Sequence, residues 1–296
     1  MSRKAIAAVT AVVVAIPLGF CLMGAVFCHE TLHVSRQPSL APPNALTVSV
    51  AGSDHAKLSA WWFTAAKPNG NCVVVLHGIK DSRASSLRYA PMFLNEGYDV
   101  LLPDSRAHGA SEGQFVTYGL LEKYDVLTWA EWMKRAGCGK LFGLGESLGA
   151  SILIQAAAVQ PAFSAIVAEC PFADLRGAAE FRLRRMMRIP RLLAAPAAVA
   201  IVNSGEVYAR WVDGLNLEEV SPVRVIGRES TPILLIHGLS DSRTPFSDSQ
   251  QLAAANPRNA LWLVPNARHT GAAEAAPEEF RTRVLGWFAD RDNISP

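Results

Sequence analysis

Gly145-Glu146-Ser147-Leu148-Gly149 stands between a short apolar stretch, Leu141 to Gly145, and a small-residue stretch, Ala150 to Val159. That placement leaves few folds open. A serine at a sharp strand-to-helix turn is held in a strained backbone conformation, and only glycines beside it let the helix approach the strand. The hydroxyl is thereby pushed outward, and the first N–H groups of the helix face the same space. A bare G-x-S-x-G also arises by chance as a tight Gly-Ser turn, so its surroundings must carry the argument.

Those surroundings alternate short β-branched runs with longer helical stretches, the pattern of parallel strands joined by crossover helices. Strands are expected at Cys72 to His77, Tyr98 to Pro103, Leu141 to Gly145, Ala165 to Glu169, Pro232 to His237 and Leu261 to Val264. Leu46 to Val50 and Lys57 to Thr64, around Gly52-Ser53-Asp54, predict an antiparallel hairpin at a sheet edge. Helices are expected at Ser82 to Glu96, Leu120 to Ala136, Ser247 to Ala255 and Pro277 to Ala289. The rhythm fails between Phe172 and Thr231, where no strand-like run occurs. A structureless loop of that length is improbable, so a helical insertion is predicted over about 172–231. It carries Arg176, Arg182, Arg184, Arg185, Arg188 and Arg191, then apolar Leu192 to Val202. A lid over a site, a basic surface near anionic headgroups and an ordinary solvated face all fit that pattern.

Ahead of the domain, Ala5 to Phe27 contains no charged residue and is long enough to cross a hydrocarbon core. It is longer than a cleaved signal segment and lacks a small-x-small site, so an uncleaved anchor is the better reading, with a signal segment as the alternative. Ser2-Arg3-Lys4 precede it, which puts the N-terminus in the cytoplasm and the catalytic part outside it. The division is therefore an anchor at 1–28, a Pro- and Ser-rich linker at 29–45, and a domain at 46–296. With charged residues at 18% and a formal balance of +2, no field is present to attract nucleic acid. The five cysteines show no metal-ligand spacing. Cys72 and Cys138 fall near the starts of strands expected to be neighbours, and either pair or remain separate buried thiols.

Three further features support a Ser147 nucleophile. Only His237 and His269 follow Ser147, and His269, in the loop after Leu261 to Val264, can turn into a site as general base, while His237 suits a core or turn role. Asp241 follows the strand Pro232 to His237, where a carboxylate can fix an imidazole tautomer. Asp174 is the rival acid, and Asp248 is better placed than Asp241 to cap the helix starting near Phe246. His77-Gly78-Ile79 follows a strand, so the N–H groups of Ile79 and Leu148 are the expected oxyanion donors, with Lys80 replacing Ile79 if the turn shifts by one residue. His77 itself reads as structural.

Taken in order, HGIKDSR at 77–83, DSRAHGASEG at 104–113, GLGESLGAS at 143–151, HGLSDSRTP at 237–245 and NARH at 266–269 resemble the α/β-hydrolase superfamily, in its serine-aminopeptidase-like and monoglyceride-lipase-like branch. The resemblance runs from about residue 46 onward. It implies an α/β fold with a mostly parallel eight-stranded sheet, a helical cap between strands six and seven, and a Ser147-His269-Asp241 triad. Asp104, Arg106, His108 and Gly109 match a loop that braces the floor of the site. Glu146 departs from the residues relatives carry there, which makes transfer of substrate unsafe. The implied activity is hydrolysis of a carboxylic ester, lipid-derived acyl esters among them, through an acyl-enzyme without metal or organic cofactor. Peptidase or thioesterase activity, or a non-catalytic binding role, are the alternatives.

Overall fold

The computed structural model describes residues 2–228 and 230–292. Eight strands form one sheet: β1 (Leu46–Ala51), β2 (Lys57–Phe63), β3 (Cys72–Leu76), β4 (Asp99–Pro103), β5 (Leu141–Glu146), β6 (Ala165–Glu169), β7 (Ile233–Gly238) and β8 (Ala260–Val264). Their order is β1-β2-β4-β3-β5-β6-β7-β8. β2 pairs antiparallel with β1 and β4, and the remaining neighbours are parallel. This is the α/β-hydrolase fold. The chain leaves β3 toward β4 and returns to β5 on the other side, so the ends of β3 and β5 open the crevice where open α/β sheets bind ligands.

The central strands are buried on both faces, which is why they read as continuous apolar runs. Val74 and Leu76 face one core, under α4 (Glu122–Arg135), α5 (Leu148–Val159) and α9 (Phe246–Ala254). Val73 and Val75 face the other, under α3 (Ala90–Leu94) and α11 (Pro277–Asp292). The continuous helix expected at Ser82 to Glu96 is broken into α2 (Arg83–Ser86), a 3-10 turn at Leu87–Tyr89, and α3. Pro91 explains the break, because it offers no N–H to the Leu87 carbonyl, which takes the Ala90 N–H in a 3-10 bond instead.

Between β6 and β7 lie α6 (Leu175–Met186), α7 (Arg191–Tyr208), a π-helical turn at Ala209–Asp213, and α8 (Pro222–Val225). The N-terminal helix α1 spans Arg3–Leu32, capped by Ser2 Oγ on the Ala5 N–H at 3.2 Å. Residues 29–32, assigned to the linker from sequence, continue this helix. α1 and α7 run side by side in the same direction: Cys21 meets Ser204, His29 Nδ1 lies 3.2 Å from Tyr208 Oη, and His33 Nε2 lies 3.7 Å from Asp213.

Cys72 and Cys138 form a disulfide with Cα atoms 5.7 Å apart, joining the start of β3 to the loop before β5. It closes a loop of 66 residues, so Cys138→Ser is expected to cost about 2–4 kcal/mol of stability. Thermal unfolding with and without reductant measures this directly. Equal midpoints would show that the bridge contributes nothing.

Candidate active site

Ser147 follows β5 with φ +52° and ψ −111°, a left-handed conformation costing about 1–3 kcal/mol in a non-glycine residue. The two flanking glycines make it possible. A Cβ on Gly145 would come within 2.5 Å of the Gly149 backbone, and one on Gly149 within 2.5 Å of the Leu76 carbonyl oxygen. The Ser147 N–H donates to the Glu169 carbonyl at 2.8 Å, tying the turn to β6.

His269 lies between β8 and the short helix α10 (Ala272–Ala275). Its Nε2 is 2.8 Å from Ser147 Oγ and its Nδ1 is 2.6 Å from Asp241 Oδ2. The Asp241 side chain has no exposed surface, whereas the His269 ring is 10% exposed. Burial of Asp241 opposes ionisation, but hydrogen bonds from His237 and His269 and from the Thr244 N–H outweigh it and hold the carboxyl well below the usual carboxylate range. An ionised Asp241 keeps the proton of His269 on Nδ1, which leaves Nε2 to accept from the Ser147 hydroxyl.

His237, assigned a core or turn role from sequence, belongs to this constellation. Its Nε2 is 3.2 Å from Asp241 Oδ2, and its Nδ1 is 2.7 Å from Ser249 Oγ. Asp174 instead caps α6, accepting from the Gly177 N–H at 3.2 Å. Asp248, better placed by sequence than Asp241 to cap α9, makes no cap bond there; it accepts from the Ala173 N–H at 3.1 Å, and burial pushes its pKa up to about 6. Asp241 Oδ1 takes the turn N–H groups of Arg243 and Thr244 at 2.7 and 3.0 Å. Cys170 Sγ lies within 4.8 Å of the Asp241 and His269 ligand atoms. Burial pushes its thiol far up, so it stands beside them uncharged.

On the β3 side, a Cβ on Gly78 would lie 3.6 Å from Ser147 Cβ, and Leu148 opens α5. The Lys80 N–H donates to His108 Nε2 at 3.2 Å, so the shifted alternative to Ile79 is already engaged. His77 is structural: its Nδ1 is 2.7 Å from the Gly78 carbonyl, and its Nε2 accepts from the Ser105 N–H at 3.0 Å. Asp104 receives the N–H groups of Arg83 and Ala110, each at 2.8 Å. Arg106 is clamped by Asp125 and Asp54, while Gly109, at φ +47°, turns so close to Asp104 that a Cβ there would lie 2.2 Å from its carboxyl group.

Beneath Ser147 lies a network that no motif announces. Glu146 pairs with Arg88, and Tyr89 Oη lies 2.9 Å from Glu146 Oε1 and 3.2 Å from Glu169 Oε2. The network holds the His269 loop, because the Thr270 carbonyl accepts from Arg88 at 3.0 Å and the Ala272 N–H donates to Glu169 at 2.9 Å. Burial, and then repulsion from Glu146, raise the Glu169 pKa to about 7.

A cavity of about 240 Å³ opens over Ser147 and His269, lined also by Ile79, Leu148, Phe172 and Val202. Several charged groups reach it, among them Glu146 with Arg88, and Glu206 with its ion-pair partner Arg176.

Raised in the fold, the Glu169 pKa makes ionisation destabilising between about pH 4.3, its unfolded value, and about pH 7. Stability from this group is highest below that window and falls as pH rises through it. Glu169→Gln is therefore expected to flatten the loss of stability between pH 5 and pH 8 in urea unfolding. An unchanged slope would remove Glu169 as its source.

A family model described as the alpha/beta hydrolase family matches residues 73–284. The uncharacterised protein YqkD of Bacillus subtilis (strain 168) is 31% identical over 231 residues, which cover 76% of this chain and 73% of YqkD. Protein ABHD12B of Homo sapiens is 28% identical over 219 residues, covering 69% of this chain and 55% of that protein. Among solved structures, the Pyrococcus furiosus esterase Pf2001 superposes with a TM-score of 0.70 at 24% identity, over 87% of this chain and 98% of the esterase. The chain belongs to the alpha/beta hydrolase family.

Proposed function

We propose that this protein is a serine hydrolase that cleaves carboxylic esters through an acyl-enzyme, with Ser147 as nucleophile, His269 as general base and Asp241 as its orienting acid. The observation that carries the reading is the continuous hydrogen-bonded line at the cavity floor, Ser147 Oγ to His269 Nε2 at 2.8 Å and His269 Nδ1 to Asp241 Oδ2 at 2.6 Å. His269 takes the hydroxyl proton as Ser147 Oγ attacks the ester carbonyl, and the N–H groups of Ile79 and Leu148 receive the developing oxyanion. The imidazolium then protonates the leaving alcohol as the C–O bond breaks. A water molecule, deprotonated by the same His269, attacks the acyl-enzyme, and the proton returns to Ser147 as the carboxylic acid leaves. No step calls on a metal or organic cofactor.

The cavity lining favours an acyl ester over a peptide with a free amino terminus. Such a substrate needs an unpaired carboxylate for its ammonium group, yet Glu146 and Glu206 are both paired with arginines, and Asp81 sits at the exposed edge. The apolar α1 supports a membrane anchor: Val13–Leu32 is long and apolar enough to cross a bilayer. Arg3 and Lys4 before it support an N-terminus in the cytoplasm and a catalytic domain on the other side. The Cys72–Cys138 bridge suits that compartment.

Labelling by a fluorophosphonate probe and turnover of p-nitrophenyl esters from acetate to palmitate test the proposal. Ser147→Ala is expected to abolish labelling and lower kcat by at least about 10³-fold, and Asp241→Asn to lower it by about 10⁴-fold through loss of the correct His269 tautomer. A folded wild type that neither labels nor turns over these esters would sink the reading.

A further inference from the structure

We propose that α1 is a wall of the substrate pocket, so that the acyl chain of a lipid ester lies between α1 and the cap helix α7 and reaches Ser147 from the lipid side. This rests on the serine-hydrolase reading and adds the surface that selects the acyl group.

Phe27, Cys28 and Thr31 of α1 line the same cavity as Ser147 and His269, facing Val202 and Gly205 of α7. A mere tether would not be built into the domain this way. Leu32 is fully buried, the Val116 N–H donates to the Leu32 carbonyl at 2.9 Å, and Tyr118 Oη donates to the Thr31 carbonyl at 3.1 Å. Small residues let the two helices touch: a Cβ on Gly24 would come within 2.5 Å of the Ile201 carbonyl oxygen and of Ser204 Cβ. One on Gly205 would come within 3.0 Å of the Gly24 carbonyl oxygen. Such backbone-to-backbone packing through small residues is how helices associate in lipid, where apolar burial from water gives no help.

The outer faces of the pair specify what covers them. On α1, Val13, Leu18 and Leu22 are exposed by 62%, 66% and 66%, and on α7, Leu192 and Leu193 are exposed by 86% and 58%. Exposed apolar surface on two adjoining helices marks an interaction site. A bilayer is the occupant that fits. The surface is continuous with the apolar Val13–Leu32 segment, which is long and apolar enough to cross one. An acyl chain already in lipid then passes along α1 into the cavity without crossing water. On the α1 and α7 side Phe27 and Val202 offer the chain an apolar wall, and the carboxylate of Glu206 there is paired with Arg176.

The test uses the full chain in lipid nanodiscs, labelled with a palmitoyl-length fluorophosphonate that carries a terminal diazirine. After irradiation and proteolysis, crosslinks are expected on peptides from residues 20–33 and 191–208. Labelled Ser147 with crosslinks confined to other segments would overturn the proposal and leave the hydrolase reading standing. Absence of Ser147 labelling by this probe in a protein that a short fluorophosphonate still labels would overturn the proposal alone, and absence of labelling by either would remove both. A second measurement is Thr31→Trp, which fills the wall. It is expected to lower kcat/KM for p-nitrophenyl laurate about 10-fold or more relative to p-nitrophenyl acetate. An unchanged laurate-to-acetate ratio in a protein that still labels would count against the α1 wall.

Discussion

The site depends on β5 and α5 meeting with no side chain between them. Gly145 and Gly149 lie so close to each other and to the end of β3 that a methyl group at either position meets backbone atoms. That contact lets α5 begin directly behind β5 and turns Ser147 into its left-handed conformation, with Leu148 opening the helix beside it. The local strain is offset by the burial of α5, whose residues from Leu148 to Ala157 are all buried. The Ser147 N–H itself is satisfied by the Glu169 carbonyl of β6.

Strain of the same kind gathers along one edge of the sheet. Lys80, Ala107, Ser147, Cys170, Asn266 and Thr270 all have positive φ, and they follow the ends of β3, β4, β5, β6 and β8. Each conformation costs energy that only surrounding contacts can hold. The Lys80 N–H is held by His108, the Ala107 N–H by the Glu112 carbonyl at 2.9 Å, and the Thr270 N–H by Cys170 Sγ at 3.4 Å. Beneath them the Arg88-Glu146-Tyr89-Glu169 network fastens the His269 loop to β5 and β6. Loops so fastened can keep three side chains in line without a regular element under each of them.

Much of this was legible from local chemistry. Val73 to Val75 read as a buried strand because both faces are covered, and Gly145 and Gly149 read as a turn because nothing larger fits. From Ser82 to Glu96 the helical run is interrupted where Pro91 offers no N–H to the Leu87 carbonyl, a break that a reading of the run as a whole passes over. Asp248 has a capping residue's position in the first turn of α9, but its carboxylate accepts from Ala173, far away in sequence. The Glu146–Glu169 network was illegible for the same reason: Arg88 and Tyr89 meet carboxylates more than fifty residues away. His237 hid its contact with Asp241 behind its place in an apolar strand.

The N-terminal helix was read by its hydropathy, which averages over faces and so conceals a difference between them. One face carries Gly24, Cys28 and Leu32, which are buried, and another carries Leu18, Leu22 and Val26, which are exposed. Small residues on the first face bring α7 close, and Phe20 and Phe27 flank the contact, packing with Leu183, Ile201 and Val202. The cap is pinned at its base, where the Phe172 N–H donates to Ser151 Oγ at 3.0 Å and the Val223 N–H to the Ala173 carbonyl at 3.0 Å. Its far side has no sheet beneath it and leans on α1 instead. The position of α7 over Ser147, and with it the width of the cavity, is therefore set by the helix that composition alone marks as an anchor.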